Sequence, residues 1–197
     1  AFRKLTDMTA PFHLEDQADS DLAAVEALLD SSFGIGRRTK TSYRLREGSS
    51  PIPGLSMLVR DAELGLSGTI SFWPLCIGKA GTPALLLGPL AVHPQRQNLG
   101  IGLALMREGL DRAMALGHSL VVLVGDEPYY ARSGFKAAAK GRIEMPGPAD
   151  PARILVAELV PEVVEWNRTL IGAPAGQPLA DPRSQVYVGD VADLIRR

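Results

Sequence analysis

Leu85-Leu-Leu-Gly-Pro-Leu-Ala-Val-His-Pro-Gln-Arg-Gln-Asn-Leu-Gly-Ile-Gly-Leu-Ala-Leu105 is the stretch on which the fold turns. It begins as an apolar run that reads as a strand to Val92, bends at His93-Pro94 and opens a helix at Gly100-Ile101-Gly102. The helical period then holds to Leu116, with Leu103, Met106, Leu110 and Ala113 on one face and Arg107, Glu108, Asp111 and Arg112 on the other. Gly117 stands where a helix ends in a left-handed residue. Leu120 to Val124 follows as an unbroken apolar run rich in valine, the composition of a strand buried on both faces. Strand, helix and strand at this spacing make a β–α–β unit, so the two strands are expected to lie parallel with a right-handed crossover.

Outward from this unit the pattern is that of an antiparallel meander. Leu55–Arg60 and Gly68–Ile77 read as a hairpin turning near Asp61–Leu64, and Lys79–Pro83 turns the chain into Ala84–Val92. Upstream, Phe12–Glu15 is a brief strand. Asp19-Ser20-Asp21 offers caps for a helix to Phe33, built on Leu22, Val25, Leu28 and Leu29. Gly34–Gly48 is basic and reads as a loop with a short helix around Tyr43. Downstream, Tyr129–Ser133 reads as one short helix, Phe135 starts a strand and Arg153–Leu159 forms the last one. The expectation is a mixed α/β (α+β) domain over residues 1–171. A Pro/Gly/Ala-rich linker and tail, 172–197, would follow, with a strand at Val186–Val188 and a helix at Asp190–Arg196. The tail would cover a sheet edge or mediate homodimerisation. Residues 1–11 are short and mixed, and read as poorly tied down.

The chain has 197 residues, 46% hydrophobic and 22% charged, enough apolar mass for a core and too much for global disorder. Its 21 basic and 22 acidic residues balance to a net charge of −1, without the basic excess that a nucleic-acid surface demands. The longest apolar run, Pro83–Val92, is interrupted by Gly88-Pro89 and falls well short of the ~20 residues that a bilayer requires. No secretion signal opens the chain, so a cytoplasmic location is expected and Asn167-Arg-Thr169 reads as a chance sequon. One cysteine, Cys76, excludes an internal disulfide, and no His/Asp/Glu grouping has metal-ligand spacing.

Chemistry points to the glycines. The first turn of a helix leaves backbone N–H groups without partners and carries partial positive charge, and glycines there let the backbone close on a phosphate. A tight turn would also use Gly100 and Gly102. Position 105 is leucine, against a dinucleotide fingerprint, and no Lys-Ser/Thr pair follows Gly102, against a P-loop. Pro89 cannot donate to a ladder, so it marks an edge, a bulge or a place where two strands part. If strands parted there, backbone groups of Leu90, Ala91 and Val92 would be free for an extended ligand arm. Arg96 and Arg107 put charge near the helix start, and His93 reads as a turn residue or a base. Of Phe72 and Trp73, one is expected in the core and the other beside a pocket.

Gln97-x-x-Gly100-x-Gly102 after a Val-x-Pro strand end resembles the acyl-CoA motif of the GNAT superfamily of N-acetyltransferases. Tyr130-Ala-Arg-Ser-Gly134-Phe135, one helix and one strand later, matches a second motif of that family. The resemblance spans Pro11–Leu159 and is most specific between Leu85 and Phe135. It implies a mixed, mostly antiparallel sheet with a splayed acyl-CoA cleft and acetyl-CoA as co-substrate, without a metal. Leu90, Ala91, Val92, Gln97, Asn98, Leu99, Gly100, Ile101, Gly102 and Leu103 would hold the co-substrate, and Tyr130 would be the catalytic acid. The implied reaction is direct acetyl transfer to a primary amine, a small molecule being favoured. A protein N-acetyltransferase and a catalytically silent CoA-binding sensor or interaction domain are the alternatives. Two departures stand out: Asp126 occupies a position where many members carry asparagine, and Ala84–Val92 lacks the acidic residue that many use as a relay base.

Overall fold

The β-branched and aromatic run Gly65–Ile77 forms the longest strand, β3, and the sheet is organised around it. A computed structural model of the chain describes residues 12–139 and 141–159 and the backbone of residues 186–189. β1 (Leu14–Asp16), β2 (Ser56–Asp61), β3 and β4 (Thr82–Val92) are successive antiparallel neighbours, the meander expected from the turn residues. The chain then crosses through helix α3 (Ile101–Ala115) to β5 (Leu120–Val124), which lies parallel to β4. β8 (Ile154–Glu158) closes antiparallel on β5, and the two-residue β6 (Lys136–Ala137) pairs with β8. The sheet order is therefore β1-β2-β3-β4-β5-β8-β6.

Helices cover both faces. On one, Leu105, Met106 and Ala113 of α3 meet Met57, Val59, Phe72, Leu85 and Leu87 in the main core. On the other, α1 (Leu22–Phe33) buries Val25, Leu28 and Leu29 against Leu58, Leu66 and Ala91. Leu86 and Val122 form a third cluster with Leu45, from beyond the short helix α2 (Thr41–Arg44), and with Ile154. The alternation of a strand explains Leu85 and Leu87 facing α3 while Leu86 faces away. Leu90, three residues after Leu87, nevertheless packs on the α3 side. The register accounts for it: β3 runs from Ile70 to Phe72 while β4 runs from Leu90 back to Leu87, so β4 carries one residue more. The extra residue sits at Gly88-Pro89 and makes a bulge.

Differences from the sequence reading are local. The expected single helix at Tyr129–Ser133 is a short helix α4, Glu127–Tyr130, started by Pro128 and followed by a 3₁₀ turn, Ala131–Ser133. Leu103 lies at the flank of α3 rather than at the centre of its buried face, which runs through Ile101, Leu105, Met106 and Ala113. Asp21 acts from inside a 3₁₀ turn, accepting the Ala18 N–H at 2.9 Å. The i,i+4 pair Glu108–Arg112 is present at 2.8 Å. β7 (Ile143–Glu144) went unrecognised in the sequence; it pairs with β9 (Val186–Gly189), which adds to the far end of β3 at Cys76 and Ile77. The linker over Gly172–Arg183, the helix at Asp190–Arg196 and residues 1–11 lie outside the described residues.

Gly109 shows how close α3 sits to the sheet. A Cβ there would overlap the ring of Phe72, which is fully buried, and approach Met57 Cε at 3.3 Å. Gly→Ala inside a helix ordinarily stabilises by about 1 kcal/mol. Gly109→Ala should instead destabilise by about 1–3 kcal/mol through overpacking. Urea unfolding measures this, and a gain in stability would show that α3 is free to move off the sheet.

Candidate active site

A proline has no N–H to give a neighbouring strand. β4 and β5 pair only at Leu85–Val121 and Leu86–Val122, below Gly88-Pro89; beyond it, β5 is paired with β8 alone. Hydrogen-bonding direction alternates along an antiparallel ladder. The His93 N–H donates to Ser67 O on the β3 side at 2.8 Å. Ala91, two residues back and opposite Thr69, therefore turns its amide the same way. Leu90 and Val92 point their N–H and C=O groups to the other side, into the opening that β5 has left.

Helix α3 begins at this opening. Gly100 takes the left-handed conformation (φ 84°) at its N-cap and supplies no side-chain cap, so the first amides stay open. Two attachments hold the approach to the helix. His93 Nδ1 accepts the Gln95 N–H at 3.3 Å, which makes His93 a turn-capping residue. The Arg96 guanidinium is held by Asp61 and, at 2.6 Å, by Glu63.

A cleft of about 520 Å³ occupies the opening. All of the residues singled out for a co-substrate in the sequence line it, except Leu99, which stands outside and is 55% exposed. Arg96 is also on its wall, whereas Arg107 is not. Tyr129 and Tyr130 both reach it from α4, their rings edge to face with centroids 5.0 Å apart. Neighbouring glycines make room for them. A Cβ at Gly102 would strike the Tyr129 hydroxyl, and one at Gly125 would strike the Tyr130 ring. The Tyr129 hydroxyl stands over the first turn of α3.

A second cleft, about 490 Å³, lies across the parted strands. Leu87, Gly88, Pro89 and Val124 form its strand side, and Thr41, Tyr43 and Arg46 its other side. Phe33, Leu90 and Tyr130 line both clefts, so Tyr130 stands where the two meet. Its ring packs edge to face on Phe135, with centroids 6.0 Å apart. Burial pushes its phenol up to about 12, helped by Tyr129 and by the Asp126 carboxylate. The group is thus a neutral proton donor at physiological pH.

Sequence reading missed the organisation of the basic segment Gly34–Gly48. Arg37 is buried, held by Glu26 and, at 2.8 Å, by Asp30, and it donates to the Tyr43 hydroxyl at 2.8 Å. Arg46 lies over two rings, its guanidinium 4.4 Å from the Tyr43 centroid and 5.8 Å from that of Trp73. The helical spacing of Tyr43 and Arg46 (i, i+3) was the available signal. Phe72 is in the core, as one of the two aromatic residues was expected to be; Trp73 takes the opposite face and packs beside Leu45 and Leu86. β4 carries no carboxylate; Asp126 and Asp150 are the acidic residues that line the second cleft. Among the described residues no group of three His, Cys, Asp or Glu side chains could hold a metal ion, and no helix is long and apolar enough to cross a membrane.

A sheet that parts at the parallel step between β4 and β5, with an open helix N-terminus beside the gap, is the fold of the N-acetyltransferase class. It matches the crystal structure of the GNAT family N-acetyltransferase YhbS from Escherichia coli in complex with CoA. The TM-score is 0.68 at 24% identity, over 97% of this chain and 96% of that one. A GNAT family acetyltransferase from Brucella melitensis in complex with acetyl-CoA matches at a TM-score of 0.55 and 28% identity, over 74% of this chain and 95% of that one. The uncharacterized N-acetyltransferase YjhQ of Escherichia coli (strain K12) is 32% identical over 130 residues, 65% of this chain and 70% of the relative. The model of the acetyltransferase (GNAT) family matches residues 22–135. The chain belongs to the GNAT family and is an N-acetyltransferase.

The Asp61–Arg96 pair ties the β2–β3 turn to the segment before α3. Arg96 holds the Asp61 carboxyl well below the usual carboxylate range, with the N–H groups of Glu63 and Leu64 adding to the effect. A carboxyl depressed by folding stabilises above its ordinary pKa, about 4, and that stabilisation drains away as pH falls below it. Asp61→Asn should therefore unfold at lower urea than the wild type at pH 7, with the gap narrowing steadily between about pH 4 and pH 2. A gap independent of pH would mean that the pair does not form in solution.

Proposed function

We propose that the protein transfers the acetyl group of acetyl-CoA directly to the primary amine of a small molecule, with Tyr130 as the acid. The observation that carries this reading is the position of Tyr130 at the junction of two clefts. A thioester arriving from one side and an amine from the other would meet beside its hydroxyl.

The first cleft fits the co-substrate in kind. Open amides of α3, from Gly100 to Leu103, suit the pyrophosphate, with Gln97 and Asn98 on the approach. The outward groups of Leu90 and Val92 suit the amides of the pantetheine arm, as a missing strand would. Acetyl-CoA, when bound, supplies an activated acyl group on a good leaving thiolate. The Val92 N–H is placed to polarise the thioester carbonyl as charge develops there. Leu90, Ala91 and the walls of the cleft hold the two reactants in contact. As the amine attacks, the C–N bond forms and the C–S bond breaks. The phenol of Tyr130 gives its proton to the departing sulfur; the attacking amine releases one to solvent water, and the phenolate is reprotonated from solvent, so the proton count closes. Burial that raises the Tyr130 phenol keeps that proton available.

Tyr130→Phe keeps the ring in its packing against Phe135 and removes only the proton. It should lower kcat by about 10²-fold or more and leave the acetyl-CoA Kd nearly unchanged. Because the phenol sits near 12, the wild-type rate should show no alkaline fall from this group below about pH 10. Full activity in Tyr130→Phe would pass the role to water or another residue. Intact acetyl-CoA binding without turnover on any amine would favour a silent CoA-binding domain instead.

Gly102→Glu tests the first cleft separately. The new side chain displaces Tyr129 and brings negative charge to the start of α3. Calorimetry should show acetyl-CoA affinity reduced by about tenfold or more in the folded variant. Unchanged affinity would put the co-substrate elsewhere.

A further inference from the structure

Arg37 and Arg46 flank the same tyrosine and have opposite surroundings. Arg37 is neutralised by Glu26 and Asp30. Arg46 lies against the aromatic rings of Tyr43 and Trp73, with the Tyr43 hydroxyl in reach, and among the described residues no carboxylate pairs with it. Its Nε and the neighbouring Trp73 Nε1 are buried without an acceptor. A guanidinium withdrawn from water is costly unless an anion meets it. Burial pushes Arg46 down to about 10, and the charge of Arg37 adds to this, yet it remains a cation at neutral pH.

The open side of Arg46 faces the second cleft. One of its Nη atoms comes so near the β4 bulge that a Cβ at Gly88 would stand 3.4 Å from it. Gly88 has φ 131°, which a side chain would strain in any case. The cleft is lined by three cations, Lys40, Arg46 and Arg153, against two carboxylates, Asp126 and Asp150, the latter without a cationic partner among the described residues. Arg153 pairs with Asp126 at 3.1 Å, the Asp150 carboxylate accepts the Ala152 N–H at 3.0 Å, and Lys40 is exposed over the Phe33 ring. What the cleft lacks is one negative charge, beside a planar fork that matches a carboxylate in two parallel hydrogen bonds.

We propose that the acceptor is a small amine that also carries a carboxylate, bound in the second cleft with the carboxylate on Arg46 and the amine toward Tyr130. This rests on the acetyl-transfer reading above and narrows its acceptor to amino acids or amino-acid-like amines. A dianionic phosphate would ask for a second withdrawn cation, and a protein N-terminus offers an amide where the carboxylate should be.

The experiment compares matched acceptors. Free α-amino acids, β-alanine and 4-aminobutyrate are each set against their primary amides, with phosphoethanolamine and dipeptides as further arms, after calorimetry has measured acetyl-CoA binding. The best acid should exceed its amide by at least about tenfold in kcat/KM. Arg46→Met should bring that ratio toward one with the acetyl-CoA Kd within about twofold, and Arg46→Lys should keep part of it. Amides equal to acids, preference for phosphoethanolamine or dipeptides, silence on every acid, or a ratio that survives in folded Arg46→Met would each overturn the proposal. The acid-to-amide comparison in the wild type needs no variant, so it stands even if Arg46→Met does not fold. Failure of the wild type to bind acetyl-CoA would be a different result, and would overturn the acetyl-transfer reading itself.

Discussion

The parting of β4 from β5 is the constraint on which the rest of the structure depends. Two strands that run parallel through Leu85–Val121 and Leu86–Val122 would ordinarily continue to pair. Gly88-Pro89 prevents it by removing a donor and inserting a bulge. Satisfying backbone groups within the sheet is worth about 1 kcal/mol per hydrogen bond, so a gap is retained only where something else takes them up. The gap splits one side of the sheet into two clefts and leaves Leu90 and Val92 with outward amides. Every element of the site is placed relative to it: α3 starts above it, α4 follows β5 out of it, and α2 borders its far side.

Packing around the gap is tight on the tyrosine side. Gly102 and Gly125 are the points where a side chain would collide with Tyr129 and Tyr130. Tyr130 also leans on Phe135, which is fully buried. Its phenol is therefore positioned by packing, and its altered acidity follows from the same burial. One packing arrangement sets both orientation and proton affinity.

The far cleft is governed by charge. Arg37, 1% exposed, would be untenable without Glu26 and Asp30, and with them it fixes Tyr43 through the phenol oxygen. Arg46 uses the opposite strategy, shielding a cation with aromatic rings that interact with it at roughly 1–2 kcal/mol each. That is enough to orient the guanidinium but less than an ion pair supplies, and it leaves the charge available to a ligand.

Local patterns fixed much of this in advance. The 3.6-residue period of Ile101–Ala115, the valine run of β5 and the turn residues between β2, β3 and β4 each encode their element within a short window. The places of Gln97, Gly100, Gly102 and Tyr130 on the first cleft were legible for the same reason, since they follow from spacing along one segment. The bulge was half legible: Pro89 announced a break, but only the register with β3 showed that the facing of Leu90 and Val92 switches there. Leu103 sits at the flank of the buried face rather than its centre, because helix periodicity does not say which flank meets a cleft, and Leu99, ahead of the helix, turns outward to solvent. Tyr129 over Gly102, and Arg46 between Tyr43 and Trp73, could not be read at all. Sequence by itself determined the elements, their order and the residues at the mouth of α3. Tertiary structure alone decided which cations are neutralised and what the second cleft lacks, because burial and charge pairing join residues far apart in the chain.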